Sequence, residues 1–283
     1  VDGNLYGQSV LGTQIAFGNF VEAEVDGNCD LKNAARSSLK IGNGGTFMVN
    51  GNLVNVKSVA VGNAVAYSAE DGKSKIALPT LKIAGDFTPG VSKASVKTGM
   101  GAVLQVEDDF RMTGSGNSLA CGRNSATEIG GDLVNVNKLD VAAGMIYSDG
   151  KKKVQGNSSF SVEGDTMSSG ALSASFGMNT ETWFGGDLTA QKLNLKIGAV
   201  AEFEVAGNTT GVNSIMVYSA KKATTTAVFY GDMTGTAAND SIKVAANNEL
   251  GIGGDLDLGG GKNSIQCDNN AHFRLNGQIG RAH

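Results

Sequence analysis

The segments Val25-Asp26-Gly27-Asn28-Cys29 and Val49-Asn50-Gly51-Asn52-Leu53 carry the same phrase: an apolar residue, a variable residue, glycine, asparagine and a mostly apolar residue. Variants with Asp in place of Asn recur along the whole chain, and in one of them Asp108 stands in the glycine position. The glycine-equivalent positions are residues 3, 27, 51, 85, 108, 131, 164, 186, 207, 231, 254 and 277. Nine of the eleven intervals between them measure 21 to 24 residues, and the other two measure 34 and 33. Repetition at this spacing indicates an array of stacked structural units.

Short alternating runs keep approximate phase with this phrase. Runs such as Leu39-Lys40-Ile41 begin about 8 to 12 residues after the glycine, and runs such as Phe203-Glu204-Val205 end just before it. Alternation with a period of two is typical of a strand with one buried and one solvated face. The runs are separated by Gly, Asn, Asp and Ser, which favour tight turns. No window has a convincing helical period.

The repeat therefore predicts an all-β chain, folded as one parallel β-solenoid (β-helix) domain over residues 1–283. We expect about eleven coils of 21–24 residues, because one coil buries little alone and stacking creates a continuous core. The main rival is an all-β sandwich, which does not require the same phrase in approximate phase in every unit. The repeat runs from Val1 to Ile279 without a capping helix or polar domain, so we expect uncapped ends.

A longer period is also visible. The two long intervals contain similar text, since residues 52–56 resemble residues 132–136 and each stretch is followed by an insert containing Asp-Gly-Lys. We therefore predict three-coil modules at roughly 1–50, 51–130, 131–206 and 207–276. Loops bearing lysine are expected to project from a shared edge, and their marker residues are Tyr67, Lys73, Tyr147, Lys151, Tyr218 and Lys221.

The residue after the glycine forms a column of Asn and Asp. Stacked carboxylates repel each other unless they are solvated, hydrogen-bonded or bridged by cations. The favoured interpretation is that each side chain binds nearby backbone N–H groups and fixes the corner. The alternative is a line of weak Ca²⁺ sites, and no other cofactor is expected. The acidic members of this column are Asp86, Asp109, Asp132, Asp165, Asp187, Asp232 and Asp255.

Three cysteines allow two interpretations. Cys121 and Cys267 replace Ile or Val at inward positions, which predicts buried, inert thiols. Cys29 follows a Gly-Asn corner near one end of the chain, where an interchain disulfide is conceivable. All three are accordingly candidates for a role in assembly.

Composition and motifs exclude several functions. With 23 basic and 27 acidic residues, the net charge of -4 offers no electrostatic attraction for nucleic acid. No apolar stretch is long enough for a membrane span. His272 and His283 are interpreted as a surface and a terminal residue, and no catalytic motif is present, so we expect no enzyme activity. Trp183 could stack on a sugar, but a large residue at a coil corner is the preferred interpretation.

The phrases Phe184-Gly185-Gly186-Asp187-Leu188 and Leu39-Lys40-Ile41-Gly42 resemble those of microbial secreted β-solenoids. Among these, the uncapped, glycine-rich pattern is similar to sheath-forming proteins of filamentous methanogens and to passenger regions of bacterial adhesins. The sheath resemblance implies a protective extracellular casing, with thiols as candidate links between chains. A chain beginning Val1-Asp2-Gly3, without Met, is interpreted as a mature form or as a fragment of a longer surface protein.

Open strand edges invite further copies, so the expected function is the structural subunit of an extracellular polymer at the cell surface: a sheath, fibre or surface layer. Its expected partner is itself, with other envelope components as further candidates. The alternative is an adhesin that binds partners through the projecting loops. A polysaccharide lyase or hydrolase would need bases placed in phase beside the acidic column, and these are missing.

Overall fold

A computed structural model describes residues 1–7, 11–68, 74–149, 152–220, 224–236 and 239–280, and of residues 146–149 and 152–155 it describes the backbone only. The strands form three columns that run along the rod, because each coil contributes one segment to each column and pairs with the coils on either side. All pairings between coils are parallel. The prediction of an all-β parallel solenoid of about eleven coils is confirmed.

The first column follows the glycine phrase and is built from short strands. These are Leu5–Tyr6, Cys29–Asp30, Leu53–Val54, Phe87–Thr88, Phe110–Arg111, Leu133–Val134, Met233–Gly235 and Leu256–Asp257. The second column contains Gln14–Ala16, Ser38–Ile41, Ser58–Val61, Ser95–Thr98, Ser118–Cys121, Lys138–Val141, Ser241–Val244 and Ser264–Cys267. In coils seven to nine one long strand serves both columns: Thr166–Phe176, Leu188–Ile197 and Thr209–Val217.

The third column precedes the glycine phrase and forms an eleven-stranded sheet. Its strands are Glu22–Val25, Thr46–Val49, Thr80–Ile83, Val103–Val106, Ala126–Ile129, Ser158–Val162, Thr180–Phe184, Glu202–Val205, Thr226–Phe229, Glu249–Ile252 and His272–Leu275. Two antiparallel hairpins leave the rod between the second and third columns. They pair Val65–Ser68 with Ser74–Ala77 in the third coil, and Ile146–Asp149 with Lys152–Gln155 in the sixth.

In the described part of the chain, the one helix is the three-residue 3-10 turn Ala34–Arg36, so no described helix could cross a membrane. Corners elsewhere use left-handed backbone. Asn55 and Asn135, for example, have φ of 61° and 56° between the first and second columns. Asn tolerates this conformation better than most residues, because its short polar side chain can bond to the local backbone. This preference explains the asparagines at these corners.

The core consists of side chains in register along the rod. Val25 pairs with Val49, Val49 with Ile83, and Ile83 with Val106, so like residues stack on like residues. Outward neighbours on the same strands are more exposed, as the alternating pattern requires. Larger rings extend this packing in the later coils. The ring of Phe203 lies 5.1, 5.7 and 5.6 Å from those of Phe176, Phe184 and Phe229, respectively.

Candidate functional site

The column of Asn and Asp predicted from the repeat forms one continuous line of hydrogen bonds, here named the corner ladder. In each coil the side-chain Oδ1 accepts a hydrogen bond from the backbone N–H of the equivalent residue in the next coil. The ladder comprises Asn4, Asn28, Asn52, Asp86, Asp109, Asp132, Asp165, Asp187, Asn208, Asp232 and Asp255, and it ends on the N–H of Gln278. Every bond runs in the same direction along the rod. The ladder therefore connects coils, rather than only closing the turn within one coil.

Glycine precedes the ladder residue because the preceding coil leaves no room for a side chain. A Cβ on Gly51 would lie 2.5 Å from Oδ1 of Asn28, and one on Gly164 would lie 2.6 Å from Oδ1 of Asp132. Both distances are far below van der Waals contact. Neither glycine has a positive φ. Close approach between coils, rather than backbone conformation, requires glycine here.

Each acidic ladder residue has a second carboxylate oxygen, Oδ2. In two adjacent coils, one arginine neutralises this second oxygen. The Nη2 atom of Arg111 lies 2.7 Å from Oδ2 of Asp109 and 3.1 Å from Oδ2 of Asp132. Burial tends to raise the pKa of Asp109. The N–H of Asp132 and the guanidinium of Arg111 outweigh this effect, and they hold the pKa of Asp109 below its ordinary value. The same contacts raise the pKa of Arg111.

The Ca²⁺ alternative has no convergent donor set to support it. Within the described ranges, no group of three or more His, Cys, Asp or Glu side chains is placed to hold a metal ion. One oxygen of each acidic ladder residue already accepts a backbone N–H. A cation would have to bind the outer oxygens alone.

The cysteines occupy inward positions in their strands, and Cys121 is buried as predicted, whereas Cys267 is not. Cys29 pairs with Leu5 and Leu53 in the first column and is fully buried. The suggestion of an interchain disulfide at Cys29 therefore requires the core to open. Cys267 was expected to be buried and is instead exposed, because no described coil stacks on its strand.

Burial also determines the acidity of the thiols. It raises the pKa of Cys29 to about 11, and the neighbouring carboxylate of Asp30 adds to this effect. Burial raises the pKa of Cys121 to about 12, although a hydrogen bond from the Thr127 hydroxyl opposes it. Since the thiolate is the reactive form, both buried thiols are protected at neutral pH.

The projecting-loop residues are only partly described. Tyr67 is exposed on the first hairpin, with its ring centroid 6.0 Å from that of Phe20, and Tyr218 is exposed after the long strand of the ninth coil. Tyr147 lies in the second hairpin, whose side chains are outside the description. Lys73, Lys151 and Lys221 lie outside the described residues.

Trp183 was expected at a coil corner, and this expectation is wrong. It lies inside the strand Thr180–Phe184, on the outer face of the third column. There it pairs in register with Ser161 and Glu204, and Glu181 pairs with Glu202 beside it. Sequence reasoning missed this group of carboxylates around the indole. The signal was present, because outward positions of the third-column strands alternate with the core residues.

The terminal coils expose part of the core. Ile15 and Phe17 of the first coil are half-buried, whereas Leu39 and Ile41, which follow them in the same column, are fully buried. At the other end, Ile265 and Cys267 are exposed, although the preceding Ile242 and Val244 are fully buried. Inward apolar side chains are thus accessible at both ends of the described rod.

Comparison of the chain with protein-family models, with curated protein sequences and with solved structures gave no significant match.

Proposed function

We propose that the chain is a structural subunit of an extracellular polymer, such as a sheath, fibre or surface layer, in which copies stack end to end. The observation that carries this proposal is the regular parallel stacking of equivalent coils, which a further copy can continue. Ile15 and Phe17 at one end and Ile265 and Cys267 at the other belong to columns that are buried in the intervening coils. Covering them with another coil removes apolar surface from water, which favours association at about 25 cal/mol per Å² of apolar area.

The polarity of the rod favours head-to-tail stacking. All coils pair in parallel, and every bond of the corner ladder runs from an N–H to the Oδ1 of the preceding coil. A second copy continues both patterns only if its first coil faces the last coil of its neighbour. Such a contact joins two different surfaces, so it does not close on itself and produces an open polymer.

The extracellular location rests on the resemblance of the repeat phrases to those of secreted β-solenoids. The composition is compatible with a casing, because 41 glycines allow close packing between coils and a low charge content limits repulsion between subunits. Exposed Cys267 is the thiol best placed to link chains in an oxidising environment.

Negative-stain microscopy and sedimentation of the purified chain test this proposal. We expect filaments or tubes, and we expect Ile15→Lys and Ile265→Lys each to reduce their length, because both place a charge on a terminal contact. Ile76→Lys is the control, since Ile76 is 58% exposed on a hairpin away from the ends. Circular dichroism should show the same strand content in all variants. A wild-type chain that stays monomeric at high concentration contradicts the proposal.

An adhesin is the second candidate, and the two hairpins are the observation that favours it. Both leave the rod between the second and third columns, and Tyr67 is 43% exposed on the first of them. Loops on a rigid scaffold are common binding sites. Uniform short rods of one-chain length in the same micrographs would favour this candidate over the polymer.

A further inference from the structure

The outer surface of the second column, here named the basic face, carries regularly spaced charges. One row of outward positions runs Ala16, Lys40, Ala60, Lys97, Ala120, Asp140, Ser175, Lys196, Met216, Lys243 and Gln266. Its charged members fall in every second coil, from the second to the tenth. Adjacent parallel strands lie about 4.8 Å apart, so these charges are spaced by about 9.6 Å. Four of the five are lysines.

Few of these lysines are neutralised within the chain. Within the described residues, Lys40, Lys97 and Lys196 have no ion-pair partner, and all three are exposed. Asp140 is paired with Lys138, which stands in the neighbouring row, and Lys243 lies 3.9 Å from Asp268. The neighbouring row otherwise consists mostly of serine: Ser38, Ser58, Ser95, Ser118, Ser173, Ser214, Ser241 and Ser264. Small side chains leave the basic face flat enough for close approach.

The outer surface of the third column, here named the acidic face, has the opposite charge. Its outward carboxylates are Glu22, Glu24, Glu128, Glu181, Glu202, Glu204 and Glu249. Its outward lysine and arginine are both paired, Lys82 with Glu107 and Arg274 with Glu249. Glu181 and Glu202 stand side by side in register, an arrangement that destabilises a sheet unless a cation compensates it. Trp183 stands in the neighbouring row, in register with Glu204, and adds an aromatic face.

We propose that the basic face of one copy packs laterally on the acidic face of a second copy of this chain. The two faces are complementary in charge, and both belong to the same molecule, so the contact repeats from copy to copy. A lysine ammonium brought over Trp183 would gain a cation–π contact as well as ion pairs with Glu202 and Glu204. This contact uses different surfaces from the end-to-end stacking and does not depend on it.

The size of the faces is sufficient for a specific contact. Eleven strands at about 4.8 Å give a length of about 50 Å, and a four-residue strand is about 13 Å long. One face therefore presents about 650 Å², and an interface between two copies buries about 1,300 Å² in total, within the range of specific protein interfaces. Because the interface is predominantly polar and charged, we expect it to weaken strongly with salt.

Paired charge reversals in the full-length chain test the proposal. Lys97→Glu with Lys196→Glu places two carboxylates on the basic face, and Glu202→Lys with Glu204→Lys places two ammonium groups beside Trp183 on the acidic face. We expect each double variant alone to lose lateral association at least tenfold, as measured by sedimentation and by the width of assemblies in micrographs. An equimolar mixture of the two should recover it, because the altered basic face of one variant then meets the altered acidic face of the other, with opposite charges at the changed positions. High salt should reduce the width of wild-type assemblies.

Lys75→Glu with Lys93→Glu is the matched control, since it changes the net charge equally and both exposed lysines lie outside the strands of the second and third columns. Circular dichroism checks that all variants fold. Unchanged width in either face variant, an equal loss in the control, or no recovery in the mixture would overturn the lateral contact. Single narrow filaments would do the same while leaving end-to-end stacking intact. Lateral clusters of short rods would instead support this inference and count against the end-to-end polymer.

Discussion

The backbone N–H of Asp109 donates to Oδ1 of Asp86 at 3.2 Å, the longest bond in the corner ladder. The other bonds between consecutive coils measure 2.7 to 3.0 Å. This is also the coil in which Asp108 replaces the glycine that precedes the ladder residue. At the equivalent glycines, atoms of the preceding coil occupy the space where a Cβ would lie. The Cβ of Asp108 needs that space, so we expect a longer hydrogen bond between these two coils.

The glycine column gives the first prediction. Gly51→Ala should lower the free energy of unfolding by about 1–3 kcal/mol, because its Cβ would overlap Oδ1 of Asn28. Asp108→Gly makes the opposite change at an equivalent position and should leave stability unchanged or raised. Urea denaturation measures both. Gly251→Ala is the control, since a Cβ there would meet only Cγ1 of Val228, at 3.9 Å. Equal costs for Gly51→Ala and Gly251→Ala would contradict the steric explanation.

The ladder bond itself gives the second prediction. Asp165→Ala removes the acceptor for the N–H of Asp187, a bond of 2.8 Å, and should cost about 1–2 kcal/mol. Asp165→Asn keeps an Oδ1 acceptor and should change stability by less than about 0.5 kcal/mol. The comparison is made by chemical denaturation at neutral pH. If the Asn variant loses as much as the Ala variant, the carboxylate charge matters more than the hydrogen bond.

Arg111 gives a prediction about pH and cations. Arg111→Gln should cost less than about 1 kcal/mol at low salt, because the ion pairs with Asp109 and Asp132 are partly exposed. A lowered folded-state pKa of Asp109 stabilises the protein above the unfolded-state pKa, and this contribution is lost as pH falls through the folded value. The difference between variant and wild type should therefore disappear in acid. Thermal melts at several pH values check this.

Calcium titration in the same melts tests the cation alternative. We expect millimolar Ca²⁺ to leave the wild-type Tm unchanged, because Arg111 already neutralises the outer oxygens of Asp109 and Asp132. A rise in Tm, or heat of binding in calorimetry, would restore the hypothesis of weak Ca²⁺ sites along the corner ladder.

Two adjacent aromatic residues give the fourth prediction. Phe229 is fully buried and its ring lies 5.6 Å from that of Phe203, so Phe229→Ala should cost about 3–5 kcal/mol. Tyr230 is 52% exposed, and Tyr230→Ala should cost less than about 1 kcal/mol. Guanidinium denaturation distinguishes the two. Similar costs would mean that the inward assignment of Phe229 and the outward assignment of Tyr230 are wrong.

The thiols give the fifth prediction, which concerns reactivity and alkaline stability. In the native chain a thiol reagent at neutral pH should modify Cys267 rapidly and Cys29 and Cys121 only after unfolding. Mass spectrometry of the labelled peptides reads this out. Rapid native labelling of Cys121 would contradict its burial.

The pKa values of the buried thiols determine the pH range in which the free energy of unfolding falls at alkaline pH. Because folding raises them to about 11 and about 12, their contribution to stability is complete below the unfolded value of 9.0 and is lost as pH rises through the folded values. Unfolding free energy should fall by up to about 1.4 kcal/mol per pH unit for each thiol in this window. Cys121→Val should reduce that slope. An unchanged slope would mean that other groups cause the alkaline loss.

The sequence alone determined the architecture of this protein. The spacing of the glycine phrase gave the length of a coil, and the alternation around residues such as Ile41 and Val49 gave the inward positions, because stacking requires like residues at like places. It also predicted the column of Asn and Asp. The extracellular role, the module boundaries and the uncapped ends remain predictions.

Tertiary structure alone decided which groups meet across coils. It placed the hydrogen-bond partner of each ladder Oδ1 in the next coil. It also placed Trp183 on an open face among glutamates. Cys267 is exposed, although Val244, at the equivalent position one coil earlier, is buried. The physical reason is that a strand's own sequence fixes which side chains point inward. Their neighbours, and hence their burial, bonds and charges, come from residues 20 or more positions away.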